Sequence, residues 1–222
     1  MTLAASAARS WPSSARDRAR SVERWLKPYA KLERRTFLQR GYSPSALTWL
    51  GVPVPDMRRV ARDVARRLAG ESPRQVIALA GALARSGSIE ARQVGYEVLA
   101  RRDDAMAALN RARIERLGRG NDNWAAVDGF ASCVSGPAWV RGVLSDADVR
   151  RWARSRDRWW RRTALVSTVS LNVRSHGGTG DTRRTLMICE ILAGDPDPML
   201  VKAQSWALRV LASRSFDPIR LA

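Results

Sequence analysis

The sequence predicts an all-α protein whose helix pairs stack into a superhelical solenoid. From about Ala15 onward, apolar residues recur three and four positions apart, as in "RQVIALAGALARS", which is the periodicity of helices with one buried face. No segment shows the alternation of a half-buried strand. Trp124 and Trp160 lie 36 residues apart, and Arg162 and Trp206 lie 44 apart. Both intervals are near the length of two-helix repeat units.

Helix starts are marked by residues that cap N-termini. Serine, threonine, aspartate and asparagine accept hydrogen bonds from the free N–H groups of a first turn. Such residues precede several periodic stretches: Ser72, Ser88, Asp122, Ser145 and Asp181. The pattern predicts helices of roughly 10 to 17 residues joined by short loops. We expect residues 1–14 to form a flexible tail and residues 15–222 to form one domain.

The charge favours an anionic partner. Of the 39 basic residues, three are lysines and 36 are arginines, and the formal net charge is +18. Guanidinium groups match phosphate oxygens and stack on aromatic rings, so this excess indicates nucleic acid. A GC-rich genome also increases the arginine content, but so large a net charge is costly without an anionic partner. A concave, arginine-lined face of a solenoid suits a duplex.

Several kinds of chemistry are disfavoured by residue counts. His176 is the sole histidine, and Cys133 and Cys189 are the only cysteines. A His/Cys metal site, a Ser-His-Asp triad and a Cys-His pair each need residues that this set does not supply. We therefore expect chemistry from carboxylates, arginines and aromatic rings. Both cysteines lie in apolar helical patterns, which predicts buried free thiols in a reducing cytosol.

Three segments combine aromatic and charged residues. In "NDNWAAVDGF", Trp124 lies one helical turn before Asp128, so both side chains project from the same helix face. The other two segments are "RWWRRTALV" and "VKAQSWALRVL". Their aromatic and basic residues are Trp159, Trp160, Arg161, Arg162, Lys202 and Trp206.

Each of these residues also has a purely structural interpretation. Trp124 suits a core, Asp128 suits a solvated helix surface, and Arg162 suits a surface ion pair. Trp159 and Trp160 are adjacent and face different ways, so we expect one in the core and one near a cleft. Only the joint occurrence of the segments favours a functional site.

The three segments, preceded by "GVPVPDMRRVAR" from Gly51 to Arg62, resemble in order the AlkD-type DNA alkylpurine glycosylases. This family consists of HEAT-like helical repeats, and the resemblance covers about residues 25–212. It implies a concave basic cleft and excision of purines alkylated at N3 or N7 from duplex DNA, without metal or cofactor. Residues Gly177–Gly180 look like a small insertion relative to the family.

The resemblance also assigns roles to individual residues. It places Asp128 on the catalytic aspartate of the family, and Trp124 and Trp206 on its two cleft tryptophans. It places Arg162 on an arginine that we expect to clamp a phosphate. The remaining expected DNA contacts are Trp159, Trp160, Arg161 and Lys202.

The implied chemistry needs only one carboxylate. A purine alkylated at N3 or N7 is cationic and leaves as a neutral base, so no general acid is required. The barrier then reflects positive charge growing on the sugar, as in other glycosidic cleavages. At about 4 Å and an effective dielectric near 20, Asp128 would stabilise that charge by about 4 kcal/mol, or roughly a thousandfold in rate.

Three alternatives to general repair are open. One is a self-resistance glycosylase that removes bulky adducts made by a DNA-damaging natural product. Another is a non-catalytic helical-repeat protein that binds damaged or branched DNA, although a pure binder gains nothing from a carboxylate facing phosphates. A protein-binding solenoid leaves the arginine excess unexplained.

Since no apolar stretch reaches 18 residues, we expect no membrane association. We expect a monomer in the bacterial cytoplasm, at the nucleoid.

Overall fold

The structure is a computed structural model that describes residues 11–215, and these residues form an all-α fold without a strand. The α-helices are α1 Ala15–Leu26, α2 Leu32–Phe37, α3 Val54–Arg67, α4 Pro73–Ala84, α5 Ile89–Ala100, α6 Asp103–Ala107, α7 Arg111–Gly118, α8 Trp124–Phe130, α9 Gly136–Val140, α10 Asp146–Ala153, α11 Arg158–Asn172, α12 Thr182–Ile191 and α13 Pro198–Ser215. The predicted helical-repeat architecture is confirmed.

Four short helical segments of other geometry interrupt this series. Residues Lys27–Tyr29 and Arg174–His176 form 3₁₀ turns. Residues Leu38–Tyr42 and Ala131–Ser135 form π-helical turns. A π turn widens a helix locally, and π turns are frequent at functional sites. The first π turn follows α2, and the second follows α8 directly.

The helices pack mainly on neighbours along the chain, as in a solenoid. Helix α5 packs against α3 and α4 and also reaches α8. Helix α11 is the centre of the second half and contacts α9, α10, α12 and α13. Because each layer buries the apolar face of the next, one continuous core runs through both halves.

Helix α11 approaches the second π turn and α9 closely because its facing residues are small. Ser167 and Ser135 are buried and their hydroxyl groups lie 2.8 Å apart. A Cβ atom at Gly136 would overlap the Ser170 side chain, so only glycine fits there. This close contact sets the position of α11 against the second π turn, which follows α8. It therefore also sets the position of Arg162, near the start of α11, relative to α8.

Four of the five predicted N-caps are confirmed, namely Ser72, Ser88, Ser145 and Asp181. The prediction for Asp122 is wrong, because Asn123 caps α8 and accepts from the Ala126 N–H at 3.0 Å. The Asp122 carboxylate is instead bound by Ser45 Oγ and by the Ala46 N–H.

The first described residues are packed against the fold. The Trp11 ring stacks on Trp25 with centroids 5.2 Å apart, and Ser14 caps α1 through the Asp17 N–H. Two of residues 11–14, which the sequence placed in a flexible tail, thus contact the helical domain in the structure. Residues 1–10 of the predicted tail lie outside the described part of the chain.

Within residues 11–215, no helix combines the length and apolar character needed to cross a membrane.

Candidate active site

A carboxylate and a guanidinium meet where α8 and α11 pack. Arg162 donates from Nε to Asp128 Oδ1 and from Nη2 to Asp128 Oδ2, both at 2.8 Å. Two parallel charge-assisted bonds of this kind fix both groups in one orientation. The Arg162 side chain is 7% exposed and that of Asp128 is 18% exposed, so the pair is largely shielded from water while the carboxylate keeps some access.

The same arginine also binds the third helix of the site. Its Nη1 donates to the carbonyl oxygen of Met199, in the first turn of α13. Arg162 thus joins α8, α11 and α13 through three different nitrogen atoms. The sequence predicted a phosphate clamp at Arg162, which stays a prediction, and the structure shows the buried guanidinium bound to Asp128 and to the Met199 carbonyl.

Burial and the arginine act on Asp128 in opposite directions. Burial raises the pKa of the carboxyl group, and the hydrogen bonds and charge of Arg162 lower it, with burial the larger effect. The net result is a pKa above the ordinary value. Arg162 therefore favours the ionised carboxylate in a site that otherwise favours the neutral acid.

Trp124 is the first residue of α8 and lies one turn before Asp128. Its ring is half-buried, and its Nε1 donates to the carbonyl oxygen of Tyr42 at 3.1 Å. The Tyr42 ring meets the indole edge-on with centroids 5.1 Å apart, and Phe37 stacks on Tyr42 at 5.3 Å. Three aromatic rings thus form a continuous row that ends at Trp124, one helical turn before Asp128.

Sequence reasoning missed Tyr42 and Phe37. They are 53% and 61% exposed, which is unusual for large rings that contact one another. Residues five apart point in different directions on an α-helix, but they become neighbours where the hydrogen bonding shifts to i→i+5. The π turn Leu38–Tyr42 creates that neighbourhood, and apolar periodicity carries no signal for it.

Trp206 lies on α13, seven residues and about two turns after Met199, whose carbonyl oxygen binds Arg162. Its assignment to the site stays a prediction. The ring is partly buried against the core. Lys202, one turn before Trp206, is exposed and forms no ion pair with a described residue.

The "RWWRR" segment separates into core and surface residues. Trp160 packs against the core between Phe130 and Trp152, with centroid distances of 6.2 and 5.1 Å. Trp159 is half-buried, and the Arg158 guanidinium lies 4.6 Å from its ring centroid. Trp160 is thus the ring that packs on the core, and the expected position of the other ring, Trp159, near a cleft stays a prediction.

Arg161 makes local contacts at the start of α11. Its Nε donates to Asp195 Oδ2 at 2.8 Å, and its Nη1 donates to the carbonyl oxygens of Ser155 and Arg156. The pair ties the start of α11 to the loop before α13.

The two thiols are poor nucleophiles at neutral pH. Burial raises the pKa of Cys133 to about 12 and that of Cys189 to about 11. Both cysteines are free of disulfides. Among the described residues, no three His, Cys, Asp or Glu side chains converge in a way that could hold a metal ion.

A known protein family matches most of this chain. The model of the DNA alkylation repair enzyme family aligns with residues 18–221, nearly the whole chain. The protein belongs to this family. The resemblance seen in the aromatic and charged segments is thereby confirmed, and the family assigns a role in DNA alkylation repair. A search of curated proteins returns no significant match.

Proposed function

We propose that the protein is a DNA glycosylase that excises cationic N3- or N7-alkylated purines from duplex DNA. The observation that supports this activity is the orientation of Asp128 by two hydrogen bonds from Arg162, one turn from Trp124, within a DNA alkylation repair family. Asp128 also keeps 18% exposure, which a carboxylate that acts on DNA needs.

The proposed reaction breaks the bond between the sugar C1′ and the alkylated nitrogen. The bonding electrons leave with the purine, whose positive charge they neutralise, and the sugar becomes oxocarbenium-like. The Asp128 carboxylate stabilises that cation and accepts the proton of the attacking water. Hydroxyl addition at C1′ completes the reaction, so neither a metal nor an organic cofactor is required.

Arg162 acts on the carboxylate in this proposal. Its positive charge weakens the field that Asp128 exerts on the sugar, but it keeps the group ionised and aimed. Preorganised orientation avoids the cost of aligning the carboxylate during the reaction. We therefore propose this role for Arg162 in place of the phosphate clamp expected from the sequence.

Exposed cations near the aromatic row provide the proposed DNA contacts. Helix α2 and the π turn after it carry basic side chains that are exposed and form no ion pair with described residues: Arg34, Arg35 and Arg40, with Lys31 just before. Lys202 is exposed in the same way on α13. Phosphates of a bound duplex would neutralise these charges.

Trp124 and Trp206 are proposed to pack against the backbone of the damaged nucleotide and to exclude water from Asp128. Trp159 and Arg161 would contact the DNA at the start of α11, and Trp160 would support them from the core. We propose that the protein acts as a monomer at the bacterial chromosome. Because this arrangement grips the sugar and phosphate, it would also accept bulky adducts, which is compatible with self-resistance.

Detection of free base tests the proposal directly. Purified protein is incubated with duplex DNA carrying N7-methylguanine or N3-methyladenine, and released bases are quantified by mass spectrometry. The proposal predicts release of the alkylated base and an abasic site in the DNA. Tight binding of the alkylated duplex without release would instead favour the non-catalytic binding protein.

A further inference from the structure

A loop far from Asp128 in sequence is tied to the start of the candidate catalytic helix. Residues 43–52, which we call the strap, connect the π turn Leu38–Tyr42 with α3. The strap contains no helix, yet its backbone is bound at both ends by side chains of other helices or their caps. Tyr42 lies immediately before it.

At the end near α8, two consecutive residues bind the strap. The Asp122 carboxylate accepts from Ser45 Oγ and from the Ala46 N–H, the latter at 2.6 Å. Asn123 Oδ1 accepts from Ser43 Oγ at 3.0 Å, and both of these side chains are buried. These contacts span about 80 residues of sequence and therefore fix two distant segments to each other.

At its other end the strap is held by α5. Glu90 is 1% exposed, and its carboxylate accepts from the N–H groups of Leu50, Gly51 and Val52, with Gly51 at 2.8 Å. Because backbone donors replace its lost hydration, this buried carboxylate remains compatible with folding. With both ends bound, the strap has little freedom to move away from α8.

This anchoring also holds Tyr42, the residue to which the Trp124 indole donates its hydrogen bond. Trp124 follows Asn123 directly, and its Nε1 donates to Tyr42, which precedes Ser43. Three successive residues at the start of α8 therefore bind the segment that runs from Tyr42 to Ala46. A displaced strap would remove the acceptor and the edge-on ring that orient Trp124.

We propose that Asp122 and Ser45 are positioning residues for the excision reaction. They hold the strap so that Tyr42 keeps the Trp124 ring in place beside Asp128. This inference rests on the proposed glycosylase activity. Neither residue touches the reacting atoms, and both act through Tyr42 and Trp124.

Four variants test the proposal in single-turnover assays with excess protein. Ser45→Ala and Asp122→Ala should each slow excision of N7-methylguanine about tenfold, while the Kd for the same duplex changes less than about threefold. Ser45→Thr retains a hydroxyl group and should restore the rate to within about twofold of wild type. The double variant should be no slower than the slower single variant, because both changes break the same hydrogen-bonded pair.

Ser145→Ala is the matched control for lost stability. Ser145 is the N-cap of α10 and lies outside the strap. Like Ser45, it donates a hydrogen bond from its hydroxyl group to a carboxylate, here that of Asp148. The excision rate of Ser145→Ala should equal that of wild type at a temperature where all variants are folded. An equal loss in Ser145→Ala and Ser45→Ala would overturn the positioning role.

A spectroscopic measurement reports on the surroundings of the Trp124 ring without depending on excision activity. In protein labelled with 5-fluorotryptophan, the fluorine resonance of Trp124 is assigned by its absence in Trp124→Phe. It should shift or broaden in Ser45→Ala and Asp122→Ala and stay in place in Ser45→Thr and Ser145→Ala.

Each outcome decides one claim. An unchanged Trp124 resonance in both alanine variants overturns the positioning role, whether or not the protein is active. A shifted resonance with wild-type excision rates overturns it too, because the indole has then moved without consequence. A wild type that releases no base refutes the proposed function, and the resonances then report only whether the strap fixes Trp124.

Discussion

Arg162 and Asp128 are 34 positions apart in sequence and face each other as a planar guanidinium and a planar carboxylate joined by two bonds of 2.8 Å. The pair gives Asp128 a cationic partner in a largely buried setting. Burial alone would favour the neutral acid, and the arginine opposes that tendency. In the proposed reaction, Arg162 keeps the Asp128 carboxylate ionised so that it can stabilise the positive charge that develops on the sugar.

Arg162→Lys should lower the excision rate about tenfold and move the acid limb of its pH profile to higher pH. Lysine keeps the charge but cannot donate two parallel bonds, so it stabilises the ionised carboxylate less. The pKa of Asp128, already raised in the wild type by burial, should then rise further. Since the ionised form is the active one, activity falls as pH decreases through that pKa.

The measurement is the single-turnover rate as a function of pH, corrected for spontaneous base loss. Arg161→Lys is the matched control, because Arg161 binds Asp195 and not Asp128. Its acid limb should coincide with that of wild type. Identical acid limbs for Arg162→Lys and wild type would show that the arginine does not control ionisation of Asp128.

The salt dependence of DNA binding should distinguish buried from exposed cations. The slope of log K against log salt becomes shallower by about 0.9 for each phosphate that the protein no longer neutralises. Lys202→Ala should therefore flatten the slope by about one unit, whereas Arg162→Gln should leave it unchanged because Arg162 is committed to Asp128 and Met199. A flatter slope for folded Arg162→Gln would restore the phosphate clamp predicted from the sequence.

Bulky adducts should be excised at rates within about tenfold of methyl adducts, a difference of about 1.4 kcal/mol in barrier. The reason is that the proposed contacts hold the backbone and leave the modified base outside a closed pocket. The test compares N7-methylguanine with a polycyclic N7 adduct in the same duplex. Refusal of every bulky cationic adduct would indicate a closed base pocket.

Gly118→Ala should destabilise the protein by about 1–3 kcal/mol. A Cβ atom there would lie 2.7 Å from Phe130 Cε1 and 3.0 Å from Trp160 Cη2, two rings packed in the core. Gly81→Ala is the control, since its nearest neighbour is the flexible end of Arg85 at 3.4 Å, and it should stabilise α4 by about 0.5–1 kcal/mol. Denaturant unfolding measures both, and equal effects would contradict the packing argument.

The sequence predicted the features of the fold that depend on local chemistry. Apolar periodicity predicts the helices, and serine caps such as Ser72 and Ser145 predict where they begin, because both act within one or two turns. The prediction that Asp122 caps α8 was wrong because its carboxylate oxygens accept hydrogen bonds from Ser45 and Ala46, which are far away in sequence. Competition between local capping and a distant loop cannot be read from spacing alone.

The candidate site was predictable only in part, for the same reason. The i, i+4 spacing places Trp124 and Asp128 together, and the order of segments indicates the family. Spacing cannot show that Arg162 faces Asp128 instead of solvent, because that depends on how closely α11 packs on its neighbours. Tyr42 reaches Trp124 across 82 positions through a π turn, which sequence periodicity does not reveal.

The Asp128→Asn variant tests the central claim most directly. Asparagine keeps the size of the side chain but removes its charge, and leaving Arg162 without a carboxylate is costly, so folding is first verified by circular dichroism at the assay temperature. We predict that single-turnover excision of N7-methylguanine slows by about a hundredfold or more, while duplex binding is kept or strengthened. Excision at the wild-type rate by folded Asp128→Asn would contradict the proposed mechanism and leave Asp128 as a structural partner of Arg162.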